Sequence, residues 1–116
     1  MGVDLRLLPL ISPNFWASHD MLGLERRREL WTAIEELPQF DIPEALYCFC
    51  ARAANGEAFY GMEEESPYGN RLKYTTVGDL LTLAGHPAVI DNWKNRAVWL
   101  YLSQMPPEWQ VVLYWH

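Results

Sequence analysis

Five consecutive residues near the end of the chain, Val111-Val112-Leu113-Tyr114-Trp115, are all aliphatic or aromatic. This run constrains the fold more than any other feature. Two β-branched valines and two aromatic residues favour a strand, and the run is far too short to span a bilayer. In a strand Val111, Leu113 and Trp115 point to one side, and Val112, Tyr114 and His116 to the other. A strand apolar on both faces belongs inside a sheet, and helices are needed on at least one side to cover it.

The rest of the chain supplies that sheet and those helices. Val3, Leu5 and Leu7 alternate with Asp4 and Arg6, the period of a strand with one wet face. Leu30, Ile34 and Leu37, widened by Trp31, mark a helix over Glu25–Leu37 that Pro38 terminates. Ala45–Ala53 reads as a second strand, with Tyr47, Phe49 and Ala51 on one face and Leu46, Cys48 and Cys50 on the other. Apolar on both sides, it is expected at the centre of the sheet beside the C-terminal strand. Asn55-Gly56 is a hairpin signal returning the chain through Ala58-Phe59-Tyr60, and Leu72–Thr75 forms a fourth strand. Thr76-Val77-Gly78-Asp79 resembles a capping box opening a short helix. A longer helix is expected over Pro87–Met105, with Ile90, Trp93, Ala97, Leu100 and Tyr101 as its buried stripe and Pro106-Pro107 as its stop. The expectation is one α+β domain over residues 1–116, with about five mostly antiparallel strands in the order β-α-β-β-β-α-α-β and helices packed on the sheet.

Charge and cysteine usage narrow the function classes. Nine basic and fifteen acidic residues leave a net charge of −6, which disfavours nonspecific binding to nucleic acid. Residues 1–6 lack a basic segment followed by an apolar run, and no stretch has the length of a membrane span, so a cytoplasmic protein with no membrane partner is expected. Cys48 and Cys50 project from the same side of one strand, a geometry unsuited to bridging each other.

Five places in the sequence offer candidate chemistry. Cys48-Phe49-Cys50 lacks the second cysteine pair or the histidines of a soft metal site and reads as core. His19-Asp20 joins an imidazole to a carboxylate but has no nucleophile motif beside it, so Asp20 reads as a loop or cap residue. Glu63-Glu64-Glu65 reads as a solvated bend. Arg26-Arg27-Arg28 reads as a solvated helix face, with an arginine-centred protein interface as the sharper alternative. Tyr60-Gly61 and Tyr68-Gly69 flank the acidic bend. No catalytic residue, metal ligand or cofactor is assigned, and Trp16, His19, Tyr60, Tyr68, Asn70 and His116 form the nominated binding surface.

Several segments carry a resemblance. Tyr60-Gly61, Ser66-Pro67-Tyr68-Gly69, 95–102 and Met105-Pro106-Pro107, with the ending Val112–His116 and the opening Gly2–Arg6, resemble a group of small uncharacterised proteins encoded in tailed-phage and prophage genomes. The Trp16, Ser18-His19 stretch is similar to the same group. The resemblance implies a phage setting and lends no catalytic residue. By analogy with small acidic phage proteins, the expected function is non-enzymatic binding to a host protein, for host takeover or counter-defence. Two alternatives stand beside it. One is a small enzyme or nucleotide-binding protein using the His19-Asp20 loop and the Glu63–Asn70 bend. The other is a homo-oligomeric structural component.

Overall fold

A computed structural model describes residues 3–11, 16–18, 20–52 and 54–116. The C-terminal strand, β7 (Gln110–Trp115), lies in the middle of a five-stranded antiparallel sheet, between β1 (Leu5–Pro9) and β6 (Lys73–Thr76). Two-residue strands close its edges: β2 (Leu22–Gly23) beside β1 and β3 (Phe40–Asp41) beside β6. Both registers bring apolar residues level across the sheet. Leu7 faces Leu113 and Leu8 faces Val112 on one side of β7, while Tyr74 faces Val112 and Thr75 faces Val111 on the other.

Alternation along β7 divides the interior into two cores. Val111 and Leu113 join Leu5, Leu7, Leu30, Ile34, Leu80, Val98, Trp99 and Leu102 under the helices. Val112 and Tyr114 join Leu8, Leu10, Ile42 and Leu72 against Leu46 and Cys48 of a separate hairpin. That hairpin, β4 (Leu46–Arg52) with β5 (Ala58–Glu63), turns at Gly56, whose φ of 87° suits a residue without a Cβ. The molecule is therefore a single α+β domain in three layers: helices, five-stranded sheet and hairpin.

Two expectations need correction. The strand Ala45–Ala53 is not central beside β7; it belongs to the two-stranded hairpin. Its Leu46 and Cys48 are buried against the sheet, whereas Tyr47 and Phe49 lie on the outer side, in ring contact with Tyr60. Two apolar faces on one strand do not distinguish a sheet interior from a hairpin with an aromatic outer surface. A kink in the ladder between Cys48 and Ala51 also breaks the strict alternation assumed for this strand.

The long helix over Pro87–Met105 is divided as well. α3 (Pro87–Ile90) stops at Asp91, and α4 (Trp93–Ser103) starts afresh behind Asn92, whose side-chain oxygen accepts from the N–H groups of Lys94 and Asn95 at 3.1 and 3.0 Å. Its buried residues are Asn95, Val98, Trp99 and Leu102. The stripe expected inside, with Trp93, Ala97, Leu100 and Tyr101 on α4 and Ile90 on α3, is the exposed one. The other two helices follow their signals. α2 (Val77–Leu81) opens at Thr76, whose hydroxyl accepts from the Asp79 N–H at 3.1 Å and donates to the Asp79 carboxylate at 3.0 Å. α1 (Arg28–Glu35) buries Leu30 and Ile34 but starts three residues later than Glu25 and has no side-chain cap.

Candidate functional site

The helix layer does not cover the whole sheet. α1 has eight residues, about 12 Å of helix, and beyond it the sheet surface beside β6 and the end of β7 stays open. The opening is a cleft of about 1080 Å³, near the upper end of ligand-site volumes. Its floor is aromatic and aliphatic: Val3, Leu113 and the half-buried Trp31 and Trp115. The two indoles meet edge to face, with centroids 5.9 Å apart and planes at 81°, a favourable quadrupolar arrangement. The Trp31 indole N–H donates to the Val3 carbonyl oxygen at 2.7 Å, which fixes the ring.

The opposite wall is the turn that follows β5. The Ser66 N–H donates to the Asn70 carbonyl oxygen at 2.7 Å, and the Gly69 N–H donates to the Ser66 carbonyl oxygen at 2.9 Å. Gly69 adopts φ 83°, which a side chain would resist. This turn holds Ser66, Tyr68 and Asn70 against the cleft.

Four cations and two carboxylates also line the cleft: Arg26, Arg28, Arg71 and Lys73, with Glu35 and Asp41. Arg26 is paired with Asp4 at 2.9 Å, and Lys73 lies 3.7 Å from Asp41. The Arg71 guanidinium is anchored by donating to the Ile42 carbonyl oxygen at 3.1 and 2.8 Å, leaving its other nitrogen 4.0 Å from Glu64. Asp4 and Glu64 stand outside the lining, so the inner surface is more basic than its surroundings in a chain of net charge −6. Arg28 forms no hydrogen bond or ion pair with a described residue and is free to meet an anion.

The nominated binding residues do not make one surface. Tyr68 and Asn70 line the cleft. Tyr60 lies on the outer face of the hairpin, stacked on Tyr47 at 5.8 Å. Trp16 is half-buried against the hairpin-side core, edge-on to Tyr74 at 5.2 Å. His116 lines a smaller surface depression with Asp4, Arg6 and Lys94, and its backbone pairs with that of Asp4. His19 lies outside the described residues. Its neighbour Asp20 does not line the cleft; its carboxylate accepts from the Tyr101 hydroxyl at 2.6 Å. That bond, reinforced by partial desolvation and the nearby negative charge, raises the Tyr101 pKa above the ordinary phenol value. Among the described residues no three His, Cys, Asp or Glu side chains gather as metal ligands would, and no helix is long and apolar enough to cross a membrane.

Sequence reasoning missed most of the cleft. Trp31 read as core and the arginine triplet as a solvated helix face, yet Arg26 and Arg28 both line the site while Arg27 does not. A usable signal was present: α1 carries Glu35-Glu36 at its negative end, against the macrodipole, and at its positive end Arg27 and Arg28 beside a favourable Glu29. Comparisons with protein-family models, curated proteins and solved structures returned no match.

Proposed function

We propose that the protein is a non-enzymatic protein-binding module of the tailed-phage type, acting in the host cytoplasm by seating an acidic segment of a host protein in the cleft beside α1. The observation that carries this reading is the cleft itself: an indole-lined floor beneath four cations, in a chain whose overall charge is negative. Aromatic side chains held rigidly at low entropic cost, with arginine beside them, are the composition of interface hot spots. The apolar floor suits a large side chain of the partner, and Arg28 and Arg71, approaching from different walls, suit carboxylates flanking it.

Affinity capture from bacterial lysate tests the reading when wild type is compared with Arg28→Glu and Tyr68→Ala. Both side chains are exposed, and a glutamate at the first position of α1 suits the helix dipole, so Arg28→Glu leaves the fold intact. The expected result is a stoichiometric partner retained by wild type and lost by both variants. No such partner, or one that both variants retain, refutes the assignment.

A further inference from the structure

We propose that the outward face of α4 is a self-association surface, on which a second copy of this chain packs as an antiparallel, two-fold-related helix pair crossing at Ala97. The surface is independent of the cleft, because no residue of α3 or α4 lines it.

The face is apolar where a solitary helix should be polar. Trp93 is 73% exposed, Leu100 66% and Tyr101 44%, while Ile90, whose carbonyl oxygen accepts from Arg96 at 2.8 Å, is 49% exposed. Trp93, Ala97, Leu100 and Gln104 recur at spacings of four, three and four, the seam of a two-helix contact. They lie opposite the buried Asn95, Val98, Trp99 and Leu102, so this domain has no further use for them. Among the large hydrophobic residues on the surface, Trp93 is the most exposed described.

Self-complementarity selects a second copy as the occupant. Ala97 sits at the middle of the seam, where a small side chain lets two backbones approach. Reversing a second α4 across it sets Trp93 of each copy against Leu100 of the other. The flanking positions agree. Lys94 and Tyr101 occupy the same flank, seven residues apart, and in an antiparallel pair that flank meets itself. The Tyr101 hydroxyl donates to the Asp20 carboxylate at 2.6 Å, which places an anion at one end of the flank. The Lys94 ammonium, which has no hydrogen bond or ion pair to any described residue and lies near Gly23, supplies the cation at the other. The two-fold axis therefore brings each Lys94 to the partner's Asp20, twice per dimer. Repulsion between two copies of net charge −6 is limited here, because α4 itself contains no acidic residue.

Size is consistent with a modest dimer. A large aromatic side chain buries roughly 150–250 Å² when fully covered. At these exposures the four large residues, with Ala97 and Gln104, offer on the order of 500 Å² per copy, so about 1,000 Å² for the pair. That meets the lower bound of a specific interface.

Sedimentation velocity over a concentration series decides the matter, with wild type, Leu100→Glu, Lys94→Glu, Asp20→Lys and the double exchange Lys94→Glu/Asp20→Lys. Wild type is expected to move from 13.5 kDa towards twice that mass as concentration rises through the micromolar range. Leu100→Glu should weaken association at least about tenfold with an unchanged unfolding midpoint, since its side chain touches only the outer face. Each single charge reversal should weaken the dimer, and the double exchange should restore it. A wild-type chain that remains at 13.5 kDa up to several hundred micromolar overturns the proposal and leaves the face to a partner of another sequence. A dimer indifferent to Leu100→Glu also overturns it, by locating the contact elsewhere.

Discussion

Asn95 is fully buried in the first turn of α4, and its amide makes three hydrogen bonds. Its oxygen accepts from the Glu25 N–H at 2.7 Å, and its nitrogen donates to the carbonyl oxygens of Glu25 and Ala88 at 3.2 and 3.0 Å. One side chain thus ties α4 to α3 and to the segment entering α1. Replacement by alanine strands three backbone groups and leaves a void, so Asn95→Ala should destabilise the fold by about 3 kcal/mol in urea denaturation. Asn92→Ala, which removes only the cap, should cost about 1 kcal/mol. Equal losses would mean the buried network contributes nothing beyond a cap. The converse case is Thr75, completely buried with a hydroxyl that has no hydrogen-bond partner among the described residues. Valine preserves its shape and removes the unsatisfied oxygen, so Thr75→Val should raise stability by about 1 kcal/mol. Neither role was legible in the sequence. Asparagine and threonine read as surface or strand residues, and only the third dimension shows which polar groups face them.

At the level of elements, legibility depended on whether an apolar pattern had one face or two. β1 alternates over Leu5, Arg6 and Leu7, and its strand lies where the pattern places it. The Thr76 box and the Asn55-Gly56 turn depend on local chemistry and were equally readable. α4 is apolar on opposite sides, and periodicity cannot say which side is inward. Trp99 settles it physically: its indole N–H reaches the buried Leu80 carbonyl oxygen at 2.8 Å, a bond unavailable to Trp93 on the far side. The reversed charges of α1 make a prediction of the same scale. Arg27 is the N-cap residue without a capping bond and lies outside the cleft lining. Arg27→Asp should add a cap and a favourable dipole interaction, raising stability by about 1 kcal/mol while sparing partner capture. A lower melting temperature would show that Arg27 has a role not visible in its contacts. The Tyr101–Asp20 bond links α4 to the segment before β2, and it acts with a definite sign. The folded phenol has the higher pKa, so the bond's contribution is complete below the unfolded tyrosine value near 10 and is lost as pH rises through the folded value. Absorbance at alkaline pH should show one tyrosine ionising late, and Asp20→Asn should abolish the delay. An identical titration for both proteins would sever the link.

The whole molecule depends on β7. Among the described residues it is the only strand joining β1 to β6, and it contributes residues to both cores and to the floor of the cleft. The apolar run identified it as a strand needing cover on both faces, but not that one cover would be a hairpin. Nor did the run show that the other, the helix layer, would stop short and leave the cleft. Those outcomes depend on the length of α1 and on the turn at Gly69, which no periodicity in β7 encodes. Deleting residues 111–116 divides the sheet into the pairs β2-β1 and β6-β3, and removes four buried side chains from the two interiors. Two-stranded pairs are marginal in water, and each core loses the layer its remaining residues pack on. The truncated chain should therefore show no cooperative transition by far-UV circular dichroism in urea, where the intact chain should show one. Loss of partner capture with cooperativity retained would instead confine β7 to the cleft floor, and the three-layer account of the fold would fail.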